Sequence, residues 1–551
     1  MRVAVQDVTR GQERLGLIIV GDGATNVNKD PILNVLAVRG GRQEFIKAMN
    51  CKGKVKDKRF IADDFIAVIM AQPDPKAVVM VITDNACRGS WPLIEEACPW
   101  VVCGGCQPHV CDLLLEDIGK LPFFKKIFSE AAVLRTLVRG RGLLLAAYDA
   151  RCKSKLVNPG DTRFNTCVIG AANLLRNREA LVGTMGDGAV ITAMHKVKGD
   201  KLEGQFASVG ELFAHAQRQV MDPDFWTRLE WSTIIMAPIG RLLRFTEQDA
   251  PTASKVHYAW YQVQSKIEEM DIDVDLKAEI MKLVRYRWDY GYNCVIGAGY
   301  VLDPEFRLCE ADAETSESFR EFVLKCHPAP VAPRLFANED EKAAFTKEKE
   351  EHSALLNRIY SQLLHYRRGD GVWGRDEVLY AMKHLSAVDF WDIHGVHAEE
   401  LQYVALRALG CASGACAAER GHKFMAHTLT GDRNRLGWDK VEKMIYVQMN
   451  LPLAYPPLVP VRDVVAFELD DDEDEEMPSQ PSEWAEAATD DGDDNERTAA
   501  AAAAEERSQR RVATLAARAA AVEKGRPADA EVARADGRRG IKRPAHFADF
   551  E

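Results

Sequence analysis

Two aspartates stand directly after apolar runs. Asp22 follows residues 15–21 (LGLIIVG), and Asp84 follows residues 77–83 (AVVMVIT). A phosphoryl-transfer centre built on two divalent cations needs carboxylates in such places. Mg²⁺ takes hard oxygen ligands, and a pair of ions clamps both the attacking and the leaving oxygen. Aspartate also caps turns and helix starts, and either residue alone fits that simpler role. The metal reading comes from the pair, placed at equivalent ends of two strands.

A second cluster runs Cys103, Cys106, His109, Cys111 and Asp112. Cys-x-x-Cys followed by His and Cys is the kind of grouping that binds zinc. No second ligand pair follows at the usual spacing of about 12–20 residues. No zinc is therefore expected, and Cys106 and His109, one turn apart at a helix start, are read as shaping a site. Near the other end, Glu419-Arg420 enters a helix after the small-residue run 411–418, which by itself reads as a capped helix with a solvated face. Residues 441–451 form a helix whose apolar Val441, Met444, Ile445, Val447 and Met449 cover a broad arc. Such an arc suits burial against another domain or subunit, and equally suits ordinary core packing.

The elements that must carry these residues read as an α/β chain. Short apolar runs at 15–21, 32–38, 44–49, 77–83 and 100–103 predict five strands. Helical spacing appears at 59–71, a short helix at 93–97, and another helix opens at 110–118. The order β-β-β-α-β-α-β-α is that of a ribonuclease-H-like mixed sheet, in which acidic residues at the ends of central strands hold metal ions. Residues 121–330 are mainly helical, with amphipathic stretches near 124–150, 165–180, 205–220, 255–270 and 275–287. Pro159, Pro223 and Pro251 punctuate them. A proline-rich connector at 327–335 leads to a charged helix at 340–368, and residues 397–455 return to helix.

The 551 residues carry a net charge of −12, which at face value argues against a nucleic-acid partner. The charge is unevenly placed. Residues 468–496 hold 15 acidic side chains and no basic one, so the tail 468–551 sums to −11 and the body 1–467 to −1. The run Asp470–Glu476 repels itself and is expected to be disordered, and the Ala/Arg/Glu stretch after it has helix propensity but little to bury. No run of about 18 apolar residues predicts a membrane span, and the N-terminus has no apolar signal segment, so an intracellular protein is expected. Thirteen scattered cysteines favour thiols over a disulfide framework.

Several segments together resemble hAT-superfamily transposase-like proteins, closest to a plant-type branch of unknown function. They are Thr83-Asp84-Asn85-Ala86; Cys106-x-x-His109-x-x-Asp112 running to Gly119; Pro159 through Arg163-Phe164; Tyr286-Arg287-Trp288-Asp289; and Gly297 through Tyr300, Asp303-Pro304 and Phe306. Phe390-Trp391 with His394-Gly395, then 411–420, then Arg433 through Leu451, complete the series. The last two resemble the hAT C-terminal dimerisation region. The resemblance spans roughly 14–452. It departs from the family at Ala24, where a tryptophan is usual, and no BED-type zinc finger is recognised ahead of Asp22.

The resemblance implies an α/β fold: a ribonuclease-H-like mixed sheet interrupted by a large all-α insertion, with a disordered acidic C-terminal tail. Its parts are 1–122 (first part of the sheet domain), 123–385 (helical insertion), 386–455 (second part with the dimerisation region) and 456–551 (tail). It implies a DDE triad of Asp22, Asp84 and Glu419 binding two Mg²⁺ or Mn²⁺ ions to cleave and join DNA strands. Cys106, His109 and Arg420 lie near that site, and Trp288 is a candidate for stacking on an extruded base. Leu436, Val441, Met444, Ile445 and Tyr446 are the expected dimerisation residues. The implied partners are a second copy of the chain and DNA, with no membrane, and the implied location is the nucleus. The basic cluster Arg538, Arg539, Lys542 and Arg543 is compatible with a nuclear signal. The alternative is a catalytically silent nuclear protein that dimerises and acts by interaction.

Overall fold

The computed structural model describes residues 14–454, apart from 27, 54–56, 158–163, 197–205, 207, 249, 333–336 and 431–435. The expected acidic tail, the basic cluster at 538–543 and Arg433 therefore lie outside the described residues, as do Pro159 to Arg163.

Five strands form one mixed sheet. They are β1 (Leu17–Thr25), β2 (Pro31–Arg39), β3 (Arg42–Asn50), β4 (Val78–Thr83) and β5 (Val102–Gly105), in the order β3-β2-β1-β4-β5. β1 pairs antiparallel with β2 and parallel with β4, and β4 pairs parallel with β5. The period-2 alternation of β1 decides which side chains cover which face. Leu17 and Ile19 pack with Phe65 of α1 (Lys58–Met70) and Trp91 of α2 (Trp91–Ala97). Ile18 and Val20 face the opposite side, into a larger core. β1 also runs three residues past Asp22, because β2 continues to pair with it after β4 has ended.

The helical part begins with α3 (Gln107–Lys120), α4 (Pro122–Gly140), α5 (Gly142–Asp149), α6 (Asn165–Arg176), α7 (Arg178–Met185), α8 (Gly188–Lys196) and α9 (Val209–Met221). Then come α10 (Pro223–Thr246), α11 (Ala253–Glu269) and α12 (Val274–Gly291). Two cores hold them. One joins α4 to α9 through residues such as Leu134, Leu181 and Phe213, and the other joins α3, α10, α11 and α12 through Leu114, Ile239, Trp260 and Val284. α10 was not legible in the sequence. It is buried around most of its circumference, so it has no apolar stripe, and Pro238 interrupts its pattern.

The remaining helices are α13 (Cys294–Leu302), α14 (Ala313–Cys326), α15 (Glu339–Arg368), α16 (Asp376–His384), α17 (Ala387–His394), α18 (Glu399–Leu409), α19 (Cys416–Thr428) and α20 (Trp438–Ala454). Val295, Phe322, Ile359, Trp391, Leu406 and Ile445 share one core with Ile18, Val20 and Met80 of the sheet. The second face of the sheet is thus covered by helices from Cys294 onward, well before residue 386. Among the described residues no helix is long and apolar enough to cross a membrane.

Candidate functional site

Strand pairing brings the two aspartates side by side. Gly21 is in register with Thr83 on the parallel pair β1–β4, so Asp22 and Asp84 are the next residue on each. Asp84 ends β4 and caps the short 3-10 turn Asn85–Ser90, accepting from the Cys87 backbone N–H at 3.3 Å. Asp22 faces Asn34 across the antiparallel pair β1–β2.

α19 docks on β1 and β2 at this point. Its Gly421 lies close against the sheet: a Cβ there would stand only 3.1 Å from Asn34 Nδ2. Glu419 and Arg420 sit half-buried in the first turns, and His422 follows. His422 Nε2 lies 2.9 Å from Asp22 Oδ2, and its Nδ1 lies 2.9 Å from Asn34 Nδ2. With the Asn34 amide donating to Nδ1, the neutral ring carries its proton on Nε2 and donates it to Asp22. Asn34 Nδ2 also reaches the Ala418 carbonyl at 3.4 Å, and Asn34 is fully buried.

The donor set suits Mg²⁺ or Mn²⁺ in kind, since all three expected ligands are carboxylates. Among the described residues no three His, Cys, Asp or Glu side chains are grouped so as to hold an ion. Asp22 and Asp84 are neighbours, Glu419 lies on the helix that covers β1 and β2, and one Asp22 oxygen is already engaged by His422.

Sequence reading missed His422 and Asn34. The signal for Asn34 was a lone amide inside the apolar run of β2. For His422 it was the i+3 spacing from Glu419, which puts both on one side of a helix.

Cys106 caps α3 and is buried, whereas His109 in the first turn of α3 is exposed. The Ala415 backbone N–H donates to Cys106 Sγ at 3.2 Å, and the Gln107 N–H donates to the Ser413 carbonyl at 3.0 Å. The loop before α19 also accepts the Ala253 N–H on the Cys411 carbonyl at 3.1 Å, and Ser413 Oγ lies 2.7 Å from Thr252 Oγ1. One loop therefore ties α3, α11 and the helix of Glu419 together.

Two expectations need correction. Trp288 is only 8% exposed; it packs against His257, Trp260 and Tyr292 and donates its Nε1–H to Glu314 at 3.2 Å. Its ring is core and offers no free face to a base. The expected dimerisation set is likewise divided. Val441 and Ile445 are fully buried in the chain's own core, and Leu436 and Tyr446 pack on it. Of the five, Met444 alone is exposed, with Val447 and Leu451 beside it on α20.

The inward face of α20 guards the sheet. β3 is an edge strand, whose unpaired backbone groups invite another strand. Asn450 accepts from the Phe45 N–H at 2.8 Å and donates to its carbonyl at 3.0 Å. Glu442 accepts from the Ala48 N–H at 3.2 Å, and Trp438 Nε1 donates to the Ala48 carbonyl at 3.0 Å.

Residues 2–134 match the family model described as "Domain of unknown function (DUF659)". That domain is found in hAT-like, transposase-related proteins. A search of curated proteins found no match.

Proposed function

We propose that this chain is a transposon-derived protein of the hAT type, with a ribonuclease-H-like core carrying Asp22, Asp84 and Glu419 as a DDE set. The observation that supports the reading is that Asp22 and Asp84 each stand one residue past the last paired position of the adjacent parallel strands β1 and β4, in a sheet ordered β3-β2-β1-β4-β5. Bound Mg²⁺ or Mn²⁺ would supply electrostatic stabilisation of the phosphoryl oxygens during DNA strand cleavage and transfer. The chain's own residues provide two adjacent carboxylates, and a helix that brings Glu419 onto the same sheet. Dimerisation through α20 and a nuclear site of action belong to the same reading.

A second reading, a catalytically silent protein that acts by interaction, is favoured by the absence of a gathered three-donor group among the described residues. Plasmid DNA incubated with the full chain and Mn²⁺, beside an Asp84→Asn variant, separates them. Nicking lost in the variant supports the first. No cleavage at any Mn²⁺ concentration, with a stable dimer by light scattering, supports the second.

A further inference from the structure

The thirteen cysteines all stand as thiols. For most of the buried ones, burial in an apolar setting disfavours the thiolate. It pushes up Cys98, Cys103, Cys111 and Cys294, and raises Cys411 to about 12. Cys106 goes the other way. A hydrogen bond with the Cys416 thiol lowers it most. Burial opposes, the backbone N–H groups of Ala415 and His109 lower it further, and the charge of Glu419 opposes.

The geometry behind this stands on its own. Cys106 caps α3, and Cys416 is the first residue of α19. Both sulfurs therefore lie at helix N-termini, where the positive end of the dipole favours a thiolate. The Ala415 N–H reaches Cys106 Sγ at 3.2 Å across 309 positions of sequence. Cys416 directly follows Ala415, so two thiols stand at adjoining helix starts, one supplied with a backbone donor, an arrangement suited to reversible oxidation.

We propose that Cys106 and Cys416 form a reversible disulfide when the chain meets a peroxide. The Cys106 thiolate attacks one peroxide oxygen, the O–O bond breaks, and hydroxide leaves, giving a sulfenic acid at Cys106. Cys416, losing its proton, attacks that sulfur; the S–S bond forms, the S–O bond breaks, and a second hydroxide leaves. Two electrons pass from the thiol pair to the peroxide, and the thiol protons complete two waters. The two residues are buried, 9% and 7% exposed, which excludes a protein oxidant and leaves a small one as the reagent. The bond would fasten α3 to the helix whose next turns carry Glu419 and His422. It would fix that helix against the sheet. The inference does not depend on whether the carboxylates bind metal.

The test uses the full chain. It is treated with graded hydrogen peroxide, blocked with N-ethylmaleimide under denaturing conditions, digested without reduction and read by mass spectrometry. The expected result is a Cys106–Cys416 linked peptide that dithiothreitol reverses and Cys106→Ser abolishes. In Cys416→Ser, Cys106 should stop at the sulfenic acid and react with dimedone. The oxidised wild type should also melt at a higher temperature than the reduced protein, because the link constrains the unfolded chain. The proposal is overturned if both residues remain as separate maleimide adducts at doses that oxidise the less buried Cys152, or if Cys106 oxidises without linking to Cys416. The wild-type peptide decides the matter even if a serine variant folds poorly.

Discussion

His422 holds Asp22 across 400 positions of sequence, with its Nε2 2.9 Å from Asp22 Oδ2. Its other nitrogen rests on Asn34, the residue opposite Asp22 in the sheet. The chain Asp22–His422–Asn34 thus fastens the helix of Glu419 onto β1 and β2. Replacing His422 by Ala leaves a fully buried Asn34 amide without its main partner. An unsatisfied buried polar group costs about 1–3 kcal/mol. Urea unfolding should show a loss of that size. The cost should be smaller in an Asn34→Ala background, because the two residues share one network. Additive losses would mean that the contact is not energetically real.

The same contact makes a prediction for cation binding. Carboxylates that ligate a metal are commonly held by an outer-shell hydrogen bond, the place His422 takes beside Asp22. If Asp22, Asp84 and Glu419 form a metal set, His422→Ala should weaken Mn²⁺ binding, read by electron paramagnetic resonance, by roughly tenfold, the lower end of outer-shell effects. Asp84→Asn should remove it. Equal Mn²⁺ affinity in wild type and His422→Ala would show that His422 does not orient a metal ligand.

His257 is buried among Trp288, Tyr292 and Tyr300, and burial lowers it to about 4, opposed by Asp312. The folded protein therefore prefers the neutral ring, while the unfolded chain takes up a proton near pH 6.5. The stability contribution is complete above that pH and is lost as pH falls from about 6.5 towards 4, amounting to about 1–3 kcal/mol. Denaturation midpoints measured across this window should decline, and His257→Phe should flatten the decline if it folds. An unchanged slope in the variant would assign the effect to other groups.

Trp288→Ala should behave as a core truncation. Removal of a buried aromatic costs about 3–5 kcal/mol, and here it also strips the Glu314 carboxylate of a donor. Thermal denaturation should show the loss in the absence of any nucleic acid. A normally stable variant with a defect confined to DNA would restore the stacking role.

The two faces of α20 should separate folding from self-association. Met444, Val447 and Leu451 are 38%, 46% and 45% exposed, whereas Ile445 is fully buried. Met444→Glu with Val447→Glu should leave the melting temperature within a few degrees of wild type and reduce any dimer seen by light scattering. Ile445→Asp should unfold the chain. Asn450→Ala should cost about 1–3 kcal/mol through the unpaired Phe45 backbone and promote aggregation at the β3 edge. A dimer unaffected by the double glutamate change would place the interface elsewhere.

Much of the local order was written in the residues. The apolar runs of β1, β4 and β5, and the spacing of Phe60, Ile61, Phe65 and Ile69 in α1, each reflect a burial demand met within a few residues. The sequence also marked Asp22 and Asp84, because a carboxylate after an apolar run is visible without any partner. What it left open was decided by contacts between distant segments. α10 has no stripe because it is surrounded. Trp288 reads like a ligand-facing aromatic until Glu314 and His257 close around it. The broad arc of α20 was equally compatible with a partner and with a core, and the edge of β3 claimed one side of it through Phe45 and Asn450. His422 meets Asp22 because α19 lies across β1 and β2, where Gly421 permits close approach. Local periodicity reports how much of a residue must be buried; only the packed chain determines what buries it.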